Sequence, residues 1–348
     1  ICNSGNANTC NANGIEIAEG MCDLIQQKLG ISAKDVVVAS TGVIGQPLDI
    51  TPIANGMDAL AEGLSADNGF VAAQAIMTTD TVAKEMAVEF TVGGKVCRLG
   101  GIAKGSGMIH PNMATMLVFI TTDCAISSEM LQKALSNDIT KTFNMLSVDG
   151  DTSTNDMVTV LANGMAGNDE ITAEGEDFTT FMTALNTVTV SLCRMIAGDG
   201  EGATKLLECI VTGADTEAAA KISAKSVICS SLLKAAMFGA DANWGRVLCA
   251  IGYSGAQDNV VYNGVTYRPH ERPIWQIPYS ALLPQKCPNL IVAGRCISFD
   301  EGLNYDAREV GTCFVTGQAA GVAAAMAANL RSSMQDVNIS KLQDALRK

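Results

Sequence analysis

The chain has 348 residues, of which 48% are hydrophobic, with 33 glycines, only 8 prolines and a formal net charge of −13 at pH 7. This composition predicts a turn-rich globular protein of the α/β type and excludes a chain that is disordered by composition. The negative charge argues against nucleic acid or an anionic membrane surface as a partner. No apolar run reaches the ~20 residues that a membrane-spanning helix needs.

Cysteine and histidine usage argues against common metal and disulfide frameworks. The 12 cysteines include no C-x-x-C pair, and the two histidines, His110 and His270, lie far apart in the sequence. A zinc site is therefore not expected. The cysteines are predicted to be buried thiols in a reducing compartment, which indicates the cytoplasm. The chain starts at Ile1 with sequence typical of a domain interior, so we expect that an N-terminal portion is missing.

The first elements in chain order are a polar loop, a helix and a short strand. Small polar residues form the loop at 3–8, and helical spacing predicts a helix over 14–29 that Gly30 ends. A strand over 36–39 then leads into Ser40-Thr41-Gly42. A threonine hydroxyl and an unobstructed glycine N–H at a strand end suit an oxyanion hole. A simple turn is the alternative interpretation.

The next stretch leads into a glycine- and proline-rich loop. A helix over 70–77 runs into Thr78-Thr79-Asp80, and alternation on either side of Gly93-Gly94 predicts a β-hairpin. The hairpin feeds the loop that starts at Lys104, and Thr115 follows it at the mouth of an apolar strand. Catalytic groups often lie in such loops, whereas a turn entering a core strand is the alternative.

Downstream of this strand the pattern alternates between helices and short polar turns. Ser127 or Ser128 can cap a helix that continues to Phe143. The spaced carboxylates of 149–156 do not fit a calcium loop, and we interpret the segment as a polar turn. Further predicted elements are helices over 157–161, 178–195 and 216–227, and a strand over 206–212. Glu201, between glycines, either binds an ammonium group or is simply exposed.

The character of the sequence changes after about Gln257. A hairpin is predicted over 262–267, a strand over 289–295 that ends in Gly-Arg, and a small-residue helix over 317–325. Small residues there would let another backbone or a phosphate approach closely.

Seven motifs, each of low specificity alone, occur together in one order. They are Asn3–Asn8, Ala39–Gly45, Met77–Asp80, Ala103–Met116, Val148–Asp156, Asp199–Lys205 and Phe238–Gly255. Together they resemble ornithine acetyltransferase, the bifunctional glutamate N-acetyltransferase (ArgJ) family of arginine biosynthesis, over residues 1 to about 257. The resemblance implies an α+β layered sandwich of the ArgJ/DmpA N-terminal-nucleophile type, which is apparently truncated here.

The resemblance implies self-cleavage between Ala114 and Thr115. Residues 1–114 would form an α chain, and 115–257 would form a β chain that begins with the nucleophile Thr115. A freed α-amino group, with a reference pKa of about 7.7–8.0, can serve as the base for its own hydroxyl. The acetyl group would pass from N2-acetylornithine to Thr115 and then to glutamate in a ping-pong cycle.

The resemblance also assigns roles to residues away from the cleavage point. Thr41 and Gly42 correspond to the oxyanion hole. Substrate binding corresponds to Thr78, Lys104, Thr115 and Glu201, with Thr79 as a close rival of Thr78. Lys104 would pair with a substrate carboxylate and hold the pKa of the α-amino group down. His110 is interpreted as a loop residue.

The resemblance implies no metal and no required cofactor, although acetyl-CoA is left open as an alternative acetyl donor. The implied partners are the two small-molecule substrates and the α and β chains, assembled as a heterotetramer. Neither nucleic acid nor a membrane is expected.

Residues 258–348 instead resemble the C-terminal end of an FAD-dependent oxidoreductase family, carried by 276–279, 282–284, 289–298 and 317–325. FAD binding is not expected, because the chain has no G-x-G-x-x-G fingerprint after a first strand. Two alternatives therefore stay open beside the acetyltransferase. The chain could be a flavoprotein fragment, or an inactive fusion of two partial sequences.

Overall fold

The computed structural model describes residues 1–110, 116–254, 260–262, 265–267, 279–284, 287–293 and 310–347. The chain divides into two compact units, Ile1–Val260 and Val261–Lys348. Helices and β-strands both contribute to the fold, which confirms the predicted mixed α/β class.

The N-terminal segment pairs two of the polar motifs found in the sequence. Strand β1 (Cys2–Asn3) lies parallel to β2 (Ala39–Ser40), and helix α1 (Gly14–Leu29) connects them. The predicted end of α1 is confirmed, since Gly30 adopts a left-handed φ of 70°. The predicted strand over 36–39 was placed too early in the chain. Helices α2 (Thr51–Glu62) and α3 (Gly69–Ala75) follow.

A four-stranded sheet forms the centre of the first unit. Its strands are β3 (Lys84–Val92), β4 (Lys95–Lys104), β5 (Leu117–Thr122) and β6 (Met157–Ala162), in that spatial order. The predicted hairpin is confirmed, and Gly93 and Gly94 both take positive φ in its turn. Strands β4 and β5 are antiparallel, whereas β5 and β6 are parallel.

Strand β6 corrects the helix that we predicted over 157–161. A short apolar run fits a buried strand and a helix turn equally well by periodicity. Here Met157 to Ala162 pair in register with Leu117 to Thr122 of β5. Its β-branched residues Val158, Thr159 and Val160 favour the extended state.

The main core lies between this sheet and one long helix. Helix α4 (Ser128–Ile139) is capped by Ser127, as predicted, and α5 (Glu176–Gly198) packs on the sheet. Phe181, Leu185 and Leu192 of α5 are fully buried. Helix α5 is long and apolar enough to span a membrane, but its buried face makes it a core helix.

Three further helices complete the first unit. They are α6 (Glu217–Ile228), α7 (Ser231–Phe238) and α8 (Trp244–Tyr253). The predicted helix over 216–227 is confirmed, with Thr216 as its N-cap. The predicted strand over 206–212 is wrong, since this segment has no strand partner among the described residues.

The second unit is described in part. Strands β7 (Val260–Tyr262) and β8 (Val265–Tyr267) pair with each other, and helices α9 (Val310–Leu330) and α10 (Ile339–Leu346) follow. The small-residue helix is confirmed as part of α9. The predicted strand over 289–295 is not formed in its described part, 289–293. The rest of that prediction lies outside the described residues.

Candidate functional site

Lys104, the last residue of β4, has its ammonium group in a buried position. The residue is 2% exposed, and its Nζ donates to Thr78 Oγ1 at 2.8 Å. The Asp80 Oδ2 atom lies 4.0 Å from this Nζ. Burial lowers the pKa of Lys104, and the Asp80 charge opposes that shift only in part. The structure therefore joins Thr78 to Lys104 and places a cation at the start of the loop that follows β4.

A buried ion network supports Lys104 from below the loop. Lys84 donates to Asp80 Oδ1 and to Asp199 Oδ2, both at 2.6 Å. The Lys84 side chain is completely buried, as is that of Asp80. Burial alone would raise the pKa of Asp80, but hydrogen bonds from Gly105, Lys84 and Thr78 outweigh it and lower that pKa. The network fixes the β3 start, the β4 end and the end of α5 to one another.

The loop after Lys104 packs directly on the segment that carries Glu201. Ser106 Oγ donates to the Asp199 carbonyl at 2.7 Å, and the Glu201 N–H donates to the Ser106 carbonyl at 2.9 Å. A Cβ added at Gly107 would lie 2.3 Å from the Glu201 carboxyl carbon. Only glycine leaves room for this carboxylate. Glu201 and Lys104 therefore border the same loop.

Thr41 and Gly42 are held by the first polar loop of the chain. The N–H groups of Thr41 and Val43 donate to the Asn3 and Gly5 carbonyls. Gly42 has a φ of 118°, and a Cβ there would lie 2.5 Å from the Gly5 carbonyl. Among the described residues, no acceptor takes the Gly42 N–H. This arrangement leaves one backbone donor free beside a buried threonine.

Asp156 lies next to the strand that the predicted nucleophile precedes. Its Oδ1 accepts from the Met116 N–H at 2.7 Å, whereas its Oδ2 is buried without a partner. Burial raises the pKa of Asp156 to about 7, against the opposing effects of the Met116 hydrogen bond and the Lys104 charge. Nearby, Asn155 Nδ2 donates to Asn8 Oδ1 at 2.8 Å. The 149–156 turn thus joins the N-terminal loop to β5.

The predicted nucleophile Thr115 and its neighbour Ala114 lie outside the described residues. The structure brings Thr78 and Lys104 into direct contact and places Glu201 on the adjoining loop. Thr41 and Gly42 are reached through the N-terminal loop, whose Ser4 Oγ donates to the Ala75 carbonyl at the end of α3.

His110 lies in a loop, as interpreted from the sequence. Its Nδ1 is 3.0 Å from Ser147 Oγ and 3.7 Å from Cys229 Sγ. Burial and the charges of Lys225 and Lys234 lower its pKa.

The sequence interpretation missed three supporting residues, Lys84, Asp199 and Asp156. A lysine at the start of an apolar strand, four residues after Asp80, was a signal for a buried ion pair. Asp156 directly precedes an apolar strand, which was a weaker signal. The partnership of Lys84 with Asp199 spans 115 residues and left no local pattern.

Other features of the first unit lie apart from these residues. A cavity of about 410 Å³ is lined by α5, α6 and the 206–211 segment, and it contains none of the predicted site residues. In the described part of the chain, no three His, Cys, Asp or Glu side chains are grouped to hold a metal ion. Cys97 and Cys124 are buried as predicted, but Cys10 and Cys287 are exposed.

Comparison with known proteins gives one family over most of the chain. The sequence model of the ArgJ family matches residues 1–271. The arginine biosynthesis bifunctional protein ArgJ of Caldanaerobacter subterraneus subsp. tengcongensis is 51% identical over 261 residues, covering 75% of this chain and 65% of that protein. Arginine biosynthesis bifunctional protein ArgJ 1 of Clostridium acetobutylicum is 52% identical over 258 residues, covering 74% and 63%.

A solved structure of the Bacillus halodurans arginine biosynthesis bifunctional protein argJ is 44% identical, with a TM-score of 0.39, covering 46% of this chain and 77% of that one. The chain thus spans about two thirds or less of the length of the first curated relatives that it matches.

The C-terminal part matches a second family model, FAD dependent oxidoreductase, over residues 254–346. The described residues of this part do not form a nucleotide cradle. A Cβ added at Gly317 or Gly321 of α9 would have no described atom within 4 Å, so neither glycine marks a close backbone approach. With no G-x-G-x-x-G fingerprint either, the residues present do not fit FAD.

Proposed function

Because the chain belongs to the ArgJ family, we propose that it is an N-terminal-threonine acyltransferase that moves an acetyl group from N2-acetylornithine to glutamate. The relatives named above carry the name arginine biosynthesis bifunctional protein, and the chain is about half identical to them. The proposal assigns the nucleophile to Thr115 and the substrate contacts to Thr78, Lys104, Thr115 and Glu201.

One observation carries the proposal: opposite charges border a single loop. Lys104 presents a buried ammonium at 2.8 Å from the Thr78 hydroxyl, and Glu201 presents a carboxylate against Gly107. An amino-acid substrate carries one carboxylate and, in ornithine, a side-chain ammonium. Lys104 would bind the first and Glu201 the second. A charge-assisted pair at each end would hold the substrate in one orientation along the loop.

The nucleophile needs a base, and the chain supplies one by self-cleavage. Cleavage of the Ala114–Thr115 bond converts an amide nitrogen into an α-amine. That amine takes the proton from Thr115 Oγ as the oxygen attacks the acetyl carbonyl. The same proton then passes to the departing amine of ornithine, and the acetyl ester remains on Thr115. Glutamate reverses these steps and carries the acetyl group away.

The oxyanion formed in each step requires donors that are already in place. Thr41 and Gly42 would supply them, as the buried hydroxyl and the free backbone N–H. Removing one donor of this kind costs about 10²–10³ in rate. The left-handed φ of Gly42 aims its N–H away from the bonds that its neighbours make to the N-terminal loop.

Assembly and location follow from the same proposal. The α chain 1–114 and the β chain 115–348 would stay associated, because strands β4 and β5 pair across the cleavage point. We propose a heterotetramer of these chains in the cytoplasm, with acetyl-CoA as an alternative acetyl donor and no bound cofactor.

An intact-mass measurement on the purified chain tests the proposal. We expect two species, residues 1–114 and 115–348, and a single full-length species for Thr115→Ala. The cleaved protein should transfer acetyl from N2-acetylornithine to glutamate. A wild-type chain that stays uncut after long incubation, with the same mass pattern as Thr115→Ala, would sink the proposal.

The FAD-dependent oxidoreductase match supports a second candidate, a flavoprotein fragment, for the C-terminal part alone. It predicts a yellow protein with flavin absorbance after purification in the presence of FAD. The third candidate, an inactive fusion of two partial sequences, predicts a colourless chain with neither cleavage nor acetyl transfer. The three outcomes are distinct in one preparation.

A further inference from the structure

Orphaned polar atoms in the first unit fall within the sequence motifs. In the described part of the chain, four buried side-chain atoms lack a hydrogen-bond partner: Asn6 Oδ1, Ser40 Oγ, Asp156 Oδ2 and Ser332 Oγ. The first three belong to the 3–8, 39–45 and 148–156 motifs. Such atoms cost free energy when they are left unpaired. Asp156 is the only acid in this group.

The Asp156 carboxyl is held firmly on one side and left open on the other. Its Oδ1 accepts from the Met116 N–H at 2.7 Å. The next residue along, Met157, donates its N–H to the Met116 carbonyl at 2.9 Å, and the preceding residue is bonded to Asn8. With both neighbours anchored, the direction of Oδ2 is fixed by the backbone.

Charges around Asp156 favour neither a full ion pair nor a neutral core. Lys104 of β4 is the charged group that acts on it, and Lys104 itself faces Asp80, Lys84 and Cys2. Burial nevertheless dominates and raises the pKa of Asp156 to about 7. The carboxyl is therefore divided between its two protonation states near neutral pH, with one oxygen lacking a donor.

We propose that Asp156 is a positioning residue for the N-terminal nucleophile, with Oδ2 accepting a hydrogen bond from the α-nitrogen of Thr115. That nitrogen is separated from the Met116 nitrogen only by the Thr115 Cα and carbonyl carbon, and Oδ1 already holds the Met116 N–H. The inference rests on the proposed function and adds a residue to it.

The role is defined by the proton balance of the transfer step. When Thr115 Oγ bonds to the acetyl carbon, its proton moves to the α-amine and creates an ammonium group. The Asp156 carboxylate stabilises that ammonium and orients it toward the departing nitrogen. The ammonium then gives its proton to ornithine as the acetyl C–N bond breaks. Asp156 neither gains nor loses a proton in this cycle.

The variant Asp156→Asn tests the role with little change in shape. Its amide oxygen still accepts from the Met116 N–H, but no negative charge remains. We expect acetyl transfer to fall roughly 10²-fold at about pH 8, the scale for a misplaced reacting group. The deficit should shrink toward about pH 5, where the wild-type Asp156 is protonated as well. Asp151→Asn, an exposed acid in the same turn, should keep the wild-type rate and pH profile.

Stability measured on the same proteins separates positioning from folding. Because Oδ2 is unpaired, Asp156→Asn should melt at or above the wild-type temperature at about pH 8. A variant that melts well below wild type, or one that keeps the wild-type rate at every pH, overturns the inference. If the wild-type chain neither cleaves nor transfers acetyl, the proposed function fails first, and that result is seen without any variant.

Discussion

Two aspartates flank Lys104 electrically, and the structure treats them in opposite ways. Asp80 receives hydrogen bonds from Lys84, Gly105 and the Thr78 N–H, and its pKa is lowered. Asp156 receives one bond, from the Met116 N–H, and burial raises its pKa to about 7. The same side chain is thus a fixed anion in one place and a titrating acid in the other.

This difference separates structural from reactive charge in the site. The Asp80 network holds the ends of β3, β4 and α5 together, and nothing is left for a ligand to satisfy. The Asp156 carboxyl sacrifices stability to keep an open acceptor beside β5. Groups with perturbed pKa values and open valences are found where chemistry occurs. The comparison therefore predicts that the two sides respond differently to substitution.

The largest effect is expected from Lys84→Met. This change leaves Asp80 and Asp199 buried without their shared cation, and breaking such a pair costs about 3–5 kcal/mol of unfolding free energy. Urea denaturation measures the loss. Lys95→Met, at an exposed position of the same hairpin, should stay within about 0.5 kcal/mol of wild type. Equal losses in both variants would mean that the buried network does not hold the site.

The next effect concerns the backbone that carries the proposed oxyanion donors. Gly42→Ala places a Cβ 2.5 Å from the Gly5 carbonyl, in addition to a strained φ of 118°. Gly45 also has a positive φ, 79°, but its Cβ would meet open space. Gly42→Ala should therefore lose about 10²–10³ in transfer rate, whereas Gly45→Ala should lose only about 1–2 kcal/mol of stability. Similar kinetics for the two variants would contradict the role of Gly42.

A smaller effect is expected at the Glu201 side of the loop. In Gly107→Ala the new methyl group displaces the Glu201 carboxylate, which is the end of a flexible side chain. We expect KM for N2-acetylornithine to rise roughly tenfold, or about 1.4 kcal/mol, with the melting temperature nearly unchanged. Gly69→Ala, which adds a methyl group in open space, is the matched control. A change in kcat alone would argue against Glu201 as a substrate contact.

The mildest test compares the two aspartates by pH. The lowered pKa of Asp80 means that its stabilising effect is present above the ordinary aspartate range and is lost as pH falls. The raised pKa of Asp156 has the reverse sign, so its cost appears as pH rises through about 7. Asp80→Asn should thus be destabilised at about pH 8, and Asp156→Asn should not. Thermal melts across this range report both signs.

The sequence was informative where the cause of a structure is local. The turn at Gly93-Gly94, the Ser127 cap and the Gly30 stop all depend on neighbouring residues, and the structure agrees with them. Strand β6 was missed because six apolar residues carry no distinguishing period, and only pairing with β5 decides their state. The absent strand at 206–212 fails for the same reason, since β-forming residues need a partner.

The site divides in the same manner. Thr41, Gly42, Thr78, Lys104 and Glu201 were found because seven motifs recur together in one order. The contacts between these motifs could not be read from their order, because Lys84 meets Asp199 and Asn8 meets Asn155 only after the chain has folded. The unpaired oxygen of Asp156 is likewise a property of the packed structure.

The most direct measurement is peptide mapping of the purified chain after brief incubation with N2-acetylornithine and acid quenching. We predict a peptide that begins at Thr115 with a free α-amine and one acetyl group on the threonine hydroxyl. The acetyl group should disappear when glutamate is added, and N-acetylglutamate should form in equal amount. An uncut Ala114–Thr115 bond, or acetyl transfer without any label on Thr115, would contradict the account.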